Sequence, residues 1–171
     1  MIRAAFFATL GPPWMRIEPV RLGRVPTGHG TPDRFVAVQA GDSPLLRVDL
    51  YRSSEECFAF EEVCVWSGFV VIGWGHCIYL VEPRTRAVSA LHLGSYFGHL
   101  YPAEQFLLVA SAERLFRVEP DGALLWRSDE VGIDGVLVDQ VADGVIRGKG
   151  EWDPPSTWRP FQVSLSTGQL V

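Results

Sequence analysis

The chain has 171 residues, 47% of them hydrophobic and 20% charged, with a formal net charge of −5. That is enough for one domain with a real core, and the acidic balance argues against general nucleic-acid binding. No apolar run reaches the roughly 18 residues that cross a bilayer as a helix, and the absence of Asn excludes N-glycosylation.

Taken in chain order, the candidate strands are short and numerous. Ala4–Leu10 reads as a first strand rather than a signal sequence, because no convincing small-residue cleavage site follows. Arg16–Val20 reads as a second strand, and residues 21–34, rich in Gly and Pro, as a long surface loop. Then come Phe35–Gln39, Leu45–Leu50, Glu62–Trp66, Phe69–Trp74, Cys77–Glu82, Ala87–Leu93, Phe106–Ser111, Arg114–Glu119, Ala123–Arg127, Gly135–Val141, Gly144–Gly148 and Phe161–Leu165. Alternation and short apolar runs dominate throughout, and no window sustains a helical period. Asp121-Gly122 and Asp143-Gly144 suit tight hairpins, while Glu82-Pro83 and Glu119-Pro120 end strands because Pro cannot donate to a ladder. Single helical turns fit only at Ser53–Phe60, capped by Ser53 or Ser54, and at Tyr101–Gln105.

Two stretches say nearly the same thing. Val70–Leu91 (VVIGWGHCIYLVEPRTRAVSAL) and Leu107–Trp126 (LLVASAERLFRVEPDGALLW) each place three apolar runs around a Val-Glu-Pro triplet, and the triplets begin 37 residues apart, at Val81 and Val118. A weaker third copy aligns Val163 with Val118, and the extra length falls in Glu151–Trp158 (EWDPPSTW), which reads as a loop inserted between two strands. Each unit is too thin to hide its apolar side alone and must bury it against a neighbour.

Val118–Arg127 (VEPDGALLWR) resembles the strand–turn–strand signature of the β-propeller repeats of pyrroloquinoline-quinone enzymes and their cofactor-free relatives. Ser166–Leu170 (STGQL) is similar to the same turn. WD-repeat and kelch-like blades share much of the pattern, and the resemblance covers roughly residues 60–171. It implies an all-β fold of antiparallel meander units of about 40 residues, in a small or partial propeller-like arrangement. The whole chain is then one domain, with divergent strands over residues 1–55 and propeller-like units over 56–171. No residues match the quinone-binding set, so no cofactor is expected. A large aromatic at a strand end, such as Trp126, is expected to fill the space between neighbouring units.

The three Cys (Cys57, Cys64 and Cys77) form no tight pair and no zinc spacing. A reducing cytoplasm is the expected setting. Lys149 is the only Lys among fifteen basic residues, a bias that points to a GC-rich bacterial origin. Residues 1–52 carry seven Arg and four acids, a net +3, and the remainder carries −8.

Candidate chemistry is sparse. There is no phosphate-cradling Gly loop and no nucleophile elbow. His76 and Cys77 are adjacent in a strand and so point to opposite faces, which argues against a Cys–His pair. His99 lies in the aromatic-rich link Ser95–Tyr101 (SYFGHLY). The most suggestive segment is Gly150–Phe161 (GEWDPPSTWRPF), where Trp152, Asp153, Trp158 and Arg159 are flanked by three prolines. Trp and Arg anchor interfaces, and the alternative is that both Trp plug the core while Asp153 pairs with Arg159. The leading expectation is a non-catalytic binding module for a protein partner, with Trp152, Asp153, Trp158 and Arg159 as its contact residues and neither nucleic acid nor membrane involved. The alternatives are a small hydrolase or lyase using Glu151 and Asp153 with a His, and a self-assembling homo-oligomer with an open sheet edge.

Overall fold

The computed structural model describes residues 1–171. The first of its four small sheets holds β1 (Ile2–Phe7), β2 (Val20–Gly23), β3 (Arg34–Ala40) and β4 (Ser43–Tyr51), in the spatial order β1-β3-β4-β2. The second is a meander of β5 (Glu62–Trp66), β6 (Phe69–Trp74), β7 (Cys77–Val81) and β8 (Val88–His92). The third repeats that plan with β9 (Phe97–Pro102), β10 (Leu107–Ser111), β11 (Leu115–Val118) and β12 (Leu124–Arg127). The fourth has three strands, β13 (Val136–Ala142), β14 (Val145–Trp152) and β15 (Thr157–Ser164). Only β2 and β4 pair in parallel. The all-β expectation is met: the one helical element is a 3-10 turn, Trp14–Arg16, and no helix is long and apolar enough to cross a membrane.

Val70–Leu91 and Leu107–Trp126 both fold as three-stranded antiparallel meanders, β6-β7-β8 and β10-β11-β12. Their apolar runs are continuous because β6 and β10 are buried on both faces. Val70, Ile72 and Trp74 pack against Val36, Val48 and Leu50 of the first sheet. Val71, from the opposite face of β6, packs with Leu107, Val109 and Phe116 of the third sheet. Leu108 and Ala110, from the opposite face of β10, meet Val136, Ile146 and Val163 of the fourth. Three apolar layers therefore join four sheets in series. Gly73 is part of this packing, since a Cβ there would overlap the Phe97 ring.

Each layer contains a tryptophan whose indole N–H crosses to a backbone carbonyl of the neighbouring sheet or its loops. Trp74 donates to Tyr51 O at 3.2 Å, Trp66 to Ala103 O at 2.6 Å and Trp126 to Leu165 O at 2.9 Å. Buried carbonyls need such partners. Trp126 thus fills an inter-sheet space as the sequence suggested. Trp126→Phe keeps a ring but removes the donor and should cost about 1–2 kcal/mol, measured by urea unfolding.

The first strands of successive sheets stand side by side: β1 against β5, β5 against β9, and β9 against β13. Side chains tie these edges together. Glu62 on β5 accepts the Leu100 N–H of β9 at 2.8 Å, and the Tyr101 hydroxyl on β9 accepts the Val138 N–H of β13 at 3.1 Å.

Several local expectations need correction. The proposed strand Arg16–Val20 is instead a 3-10 turn followed by an extended link, because Pro12, Pro13 and Pro19 interrupt any ladder there. The proposed loop over residues 21–34 begins inside β2. Tyr101–Gln105 forms no helical turn, since Tyr101 and Pro102 end β9. Glu151–Trp158 is not an inserted loop: β14 and β15 run on through it, pairing Glu151 with Trp158 and Trp152 with Thr157. Pro160 is tolerated because β15 is an edge strand.

Candidate functional site

A cleft of about 480 Å³ opens where the second, third and fourth sheets converge, between the segment before β5, the start of β9 and the hairpin of β14 and β15. Phe60, Tyr96 and Trp158 line it with His99, Asp134 and Glu151.

His99 is held from behind. Its Nδ1 lies 2.6 Å from Glu62 Oε1, and the second oxygen of that carboxylate is taken by Leu100 N–H. In a bond between imidazole and carboxylate, Nδ1–H donates and the carboxylate oxygen accepts. Phe60 packs on the imidazole with ring centroids 5.0 Å apart.

Tyr96, just before β9, donates its hydroxyl to Asp134, 2.9 Å from Oδ1 and also against the backbone carbonyl. Burial, the hydrogen bond to Asp134 and its negative charge push the phenol's pKa up, so Tyr96 stays a neutral donor. Asp134 is delivered by the segment 131–135, which crosses β14 so closely that a Cβ on Gly150 would overlap the Val131 carbonyl. Two backbone bonds of 2.8 Å fasten that crossing, from Ile133 N–H to Glu151 O and from Glu151 N–H to Gly135 O.

Glu151 and Trp158 are opposite neighbours in the β14–β15 ladder and share the face turned toward the cleft. Glu151 Oε1 accepts the Ser156 N–H at 2.8 Å. Trp158 remains 40% exposed, so its ring is available.

The four residues singled out from sequence are therefore divided. Trp158 lines this cleft. Trp152 and Arg159 line a separate depression of the fourth sheet, with the guanidinium 5.6 Å from the Trp152 ring centroid. Asp153 lies exposed at the hairpin tip, where Arg159 does not pair with it. Adjacent positions on a strand face opposite ways, which separates Trp152 from Glu151 and Arg159 from Trp158. Of the acids named for catalysis, Glu151 reaches the cleft and Asp153 does not. Sequence reasoning missed Phe60 and Asp134, and the Glu62–His99 pair had no signal because its members are 37 residues apart.

Ser111 also borders the cleft, but its hydroxyl is committed. It bonds to Ser95 Oγ at 3.1 Å and accepts the N–H groups of Glu113 and Arg114. No three His, Cys, Asp or Glu side chains are grouped to hold a metal ion. A second cleft of about 500 Å³ lies on the outward side of the first sheet. Its lining is apolar apart from Arg3 and Gln39.

The thiols differ in access. Burial, with the Glu62 charge adding to it, pushes Cys64 up to about 11, and burial raises Cys77 as well. Cys57 is exposed at the cleft rim. Iodoacetamide at about pH 8 should therefore label Cys57 before the other two, as read by peptide mass spectrometry. The same shifts bear on stability. A thiol that ionises at 9.0 when free but only near 11 in the fold stabilises fully below pH 9 and loses that contribution as pH rises toward 11. Tyr79 and Tyr96 are raised by burial in the same sense, so the midpoint of thermal unfolding should fall from about pH 9 upward.

No protein-family model matches the chain, and no curated protein is significantly similar to it.

Proposed function

We propose that this protein is a non-catalytic binding module that holds a protein partner in the cleft between Phe60, Tyr96 and Trp158. We read its sheets as units of a small, open, propeller-like arrangement. The adjacency of β1, β5, β9 and β13 supports that reading, as does the serial burial of each sheet against the next. In such folds the loops and hairpins at one end of the sheets present the ligand surface.

The observation that carries the binding role is the cleft itself. It is concave, of the size that takes a side chain or small ligand, and walled by three aromatic rings contributed from separate parts of the chain. Aromatic side chains bring large contact area at low entropy cost and are the usual anchors of recognition.

The test is affinity capture from the host's own lysate. Wild-type bait and Trp152→Ala bait should retain the same partner, and the double variant Phe60→Ala/Trp158→Ala should lose it. Far-UV circular dichroism should be preserved in all three. If no captured protein distinguishes the double variant from wild type, the proposal fails.

A second reading, a hydrolase or lyase, is favoured by one observation: Glu62 orients His99 as carboxylates orient general bases. It predicts turnover of a small substrate that His99→Gln abolishes. The binding reading predicts at most a change in affinity for that variant.

A further inference from the structure

Charge in the cleft is unevenly compensated. The Glu62 carboxylate is taken up by His99 Nδ1 at 2.6 Å and by Leu100 N–H at 2.8 Å. Asp134 and Glu151 also line the cleft, yet neither takes part in any of the chain's six ion pairs. Both carboxylates are nonetheless fixed in place. Tyr96 holds Asp134 by Oδ1, and Ser156 N–H holds Glu151 by Oε1. That leaves Oδ2 and Oε2 without a hydrogen bond from the chain. Two held carboxylates beside a half-exposed aromatic wall produce a negative local potential that added salt reduces.

The aromatic rings add to this in a directional way. The face of an indole, phenol or phenyl ring attracts cations through its quadrupole. Trp158 already does so with the chain's single lysine, whose Nζ lies 5.8 Å from the ring centroid. A metal ion would use the same negative charge, but it needs three or more grouped ligands, and none are grouped here. An organic cation needs none: its hydrogens reach carboxylate oxygens while its carbon stem lies on the rings.

From this combination we propose that the cleft recognises an ammonium or guanidinium group, the end of a Lys or Arg side chain presented by the partner. The proposal rests on the binding role above and adds the chemistry of what is bound. Asp134 and Glu151 supply the charge-assisted hydrogen bonds, Phe60 and Trp158 the ring faces, and Tyr96 holds Asp134 in register. Glu62 fixes the orientation of the His99 ring through Nδ1. Lys149, already lying against Trp158, competes with the incoming cation.

The experiment uses the full chain and four probes: the N-acetyl amides of arginine, lysine, citrulline and glutamate, titrated by calorimetry and by indole fluorescence. Arginine amide should bind about tenfold more tightly than citrulline amide, its neutral isostere, and the preference should shrink as salt is raised. The double variant Asp134→Asn/Glu151→Gln should bring that ratio close to one with the near-UV circular dichroism unchanged. Lys149→Gln should strengthen arginine binding. Equal or tighter binding of citrulline or glutamate amide would overturn the proposal, as would no detectable arginine binding at about 20 mM probe. If lysate capture still depended on Phe60 and Trp158 in that event, the binding role would stand and only the cation chemistry would fall. If capture failed too, both would fall.

Discussion

Asp49→Ala should destabilise the protein by about 3–5 kcal/mol, more than truncating any exposed ion pair. Arg47 and Asp49 sit on the outward face of β4, yet they are buried. The guanidinium binds the carboxylate in a two-pronged arrangement, with Nε and Nη2 at 2.7 and 2.8 Å from the two oxygens. Arg47 also lies 5.5 Å from the Phe35 ring centroid and donates to Met15 Sδ at 3.7 Å. Removing the carboxylate leaves that charge desolvated with no counterion. Arg21 worsens the outcome: it stands opposite Asp49 in the β2–β4 ladder, and its Nε is buried without a partner. The double variant Arg47→Met/Asp49→Leu removes both charges at similar volume and should recover most of the loss. Urea unfolding of the three proteins decides it. A change below about 1 kcal/mol for Asp49→Ala would mean that water reaches the pair.

Gly150→Ala should cost about 3 kcal/mol or more and should disturb the cleft as well. The added methyl would overlap the Val131 carbonyl oxygen, and Gly132 Cα also lies too close. These are backbone atoms and cannot rotate away. The segment 131–135 must lift, which strains the bonds from Ile133 to Glu151 and from Glu151 to Gly135. Asp134 rides on that segment, so its contact with Tyr96 should weaken with it. Gly11→Ala is the control: it has open space around it and no positive φ, and should stay within about 0.5 kcal/mol of wild type. A near-neutral Gly150→Ala would show that the crossing is looser than its hydrogen bonds suggest.

Much of the fold could be read from local pattern. β5 and β6 run over the residues that alternation and turn glycines marked, Glu62–Trp66 and Phe69–Trp74. Their hairpin is a two-residue Ser67-Gly68 turn with both residues at positive φ. β9 (FGHLYP) escaped because Gly98 and the closing Pro102 weaken a strand reading, although Phe97, His99 and Tyr101 alternate along it. β2 escaped because only four residues pair, and they do so with β4, a partner more than twenty positions along the chain. The hairpin of β14 and β15 was misjudged because Pro154 and Pro155 signal a loop, whereas only its tip turns.

The candidate site was less legible for a geometric reason. Trp158, Glu151 and His99 were visible as residue types, but which of them share a face depends on ladder register. The Glu62–His99 and Tyr96–Asp134 pairs depend on the approach of separate sheets. No local pattern encodes such proximity.

The serial layering has a consequence for how the molecule opens. The second and third sheets are clamped from two sides, while the first and fourth are each gripped by one neighbour. The first covers the Arg47–Asp49 part of its outward face with Met15, whereas β15 closes the other end with a largely exposed surface. Fraying should then begin at the carboxyl-terminal sheet. Because that sheet carries Glu151, Trp158 and one wall of the cleft, the grip on a bound partner would loosen before the inner sheets give way.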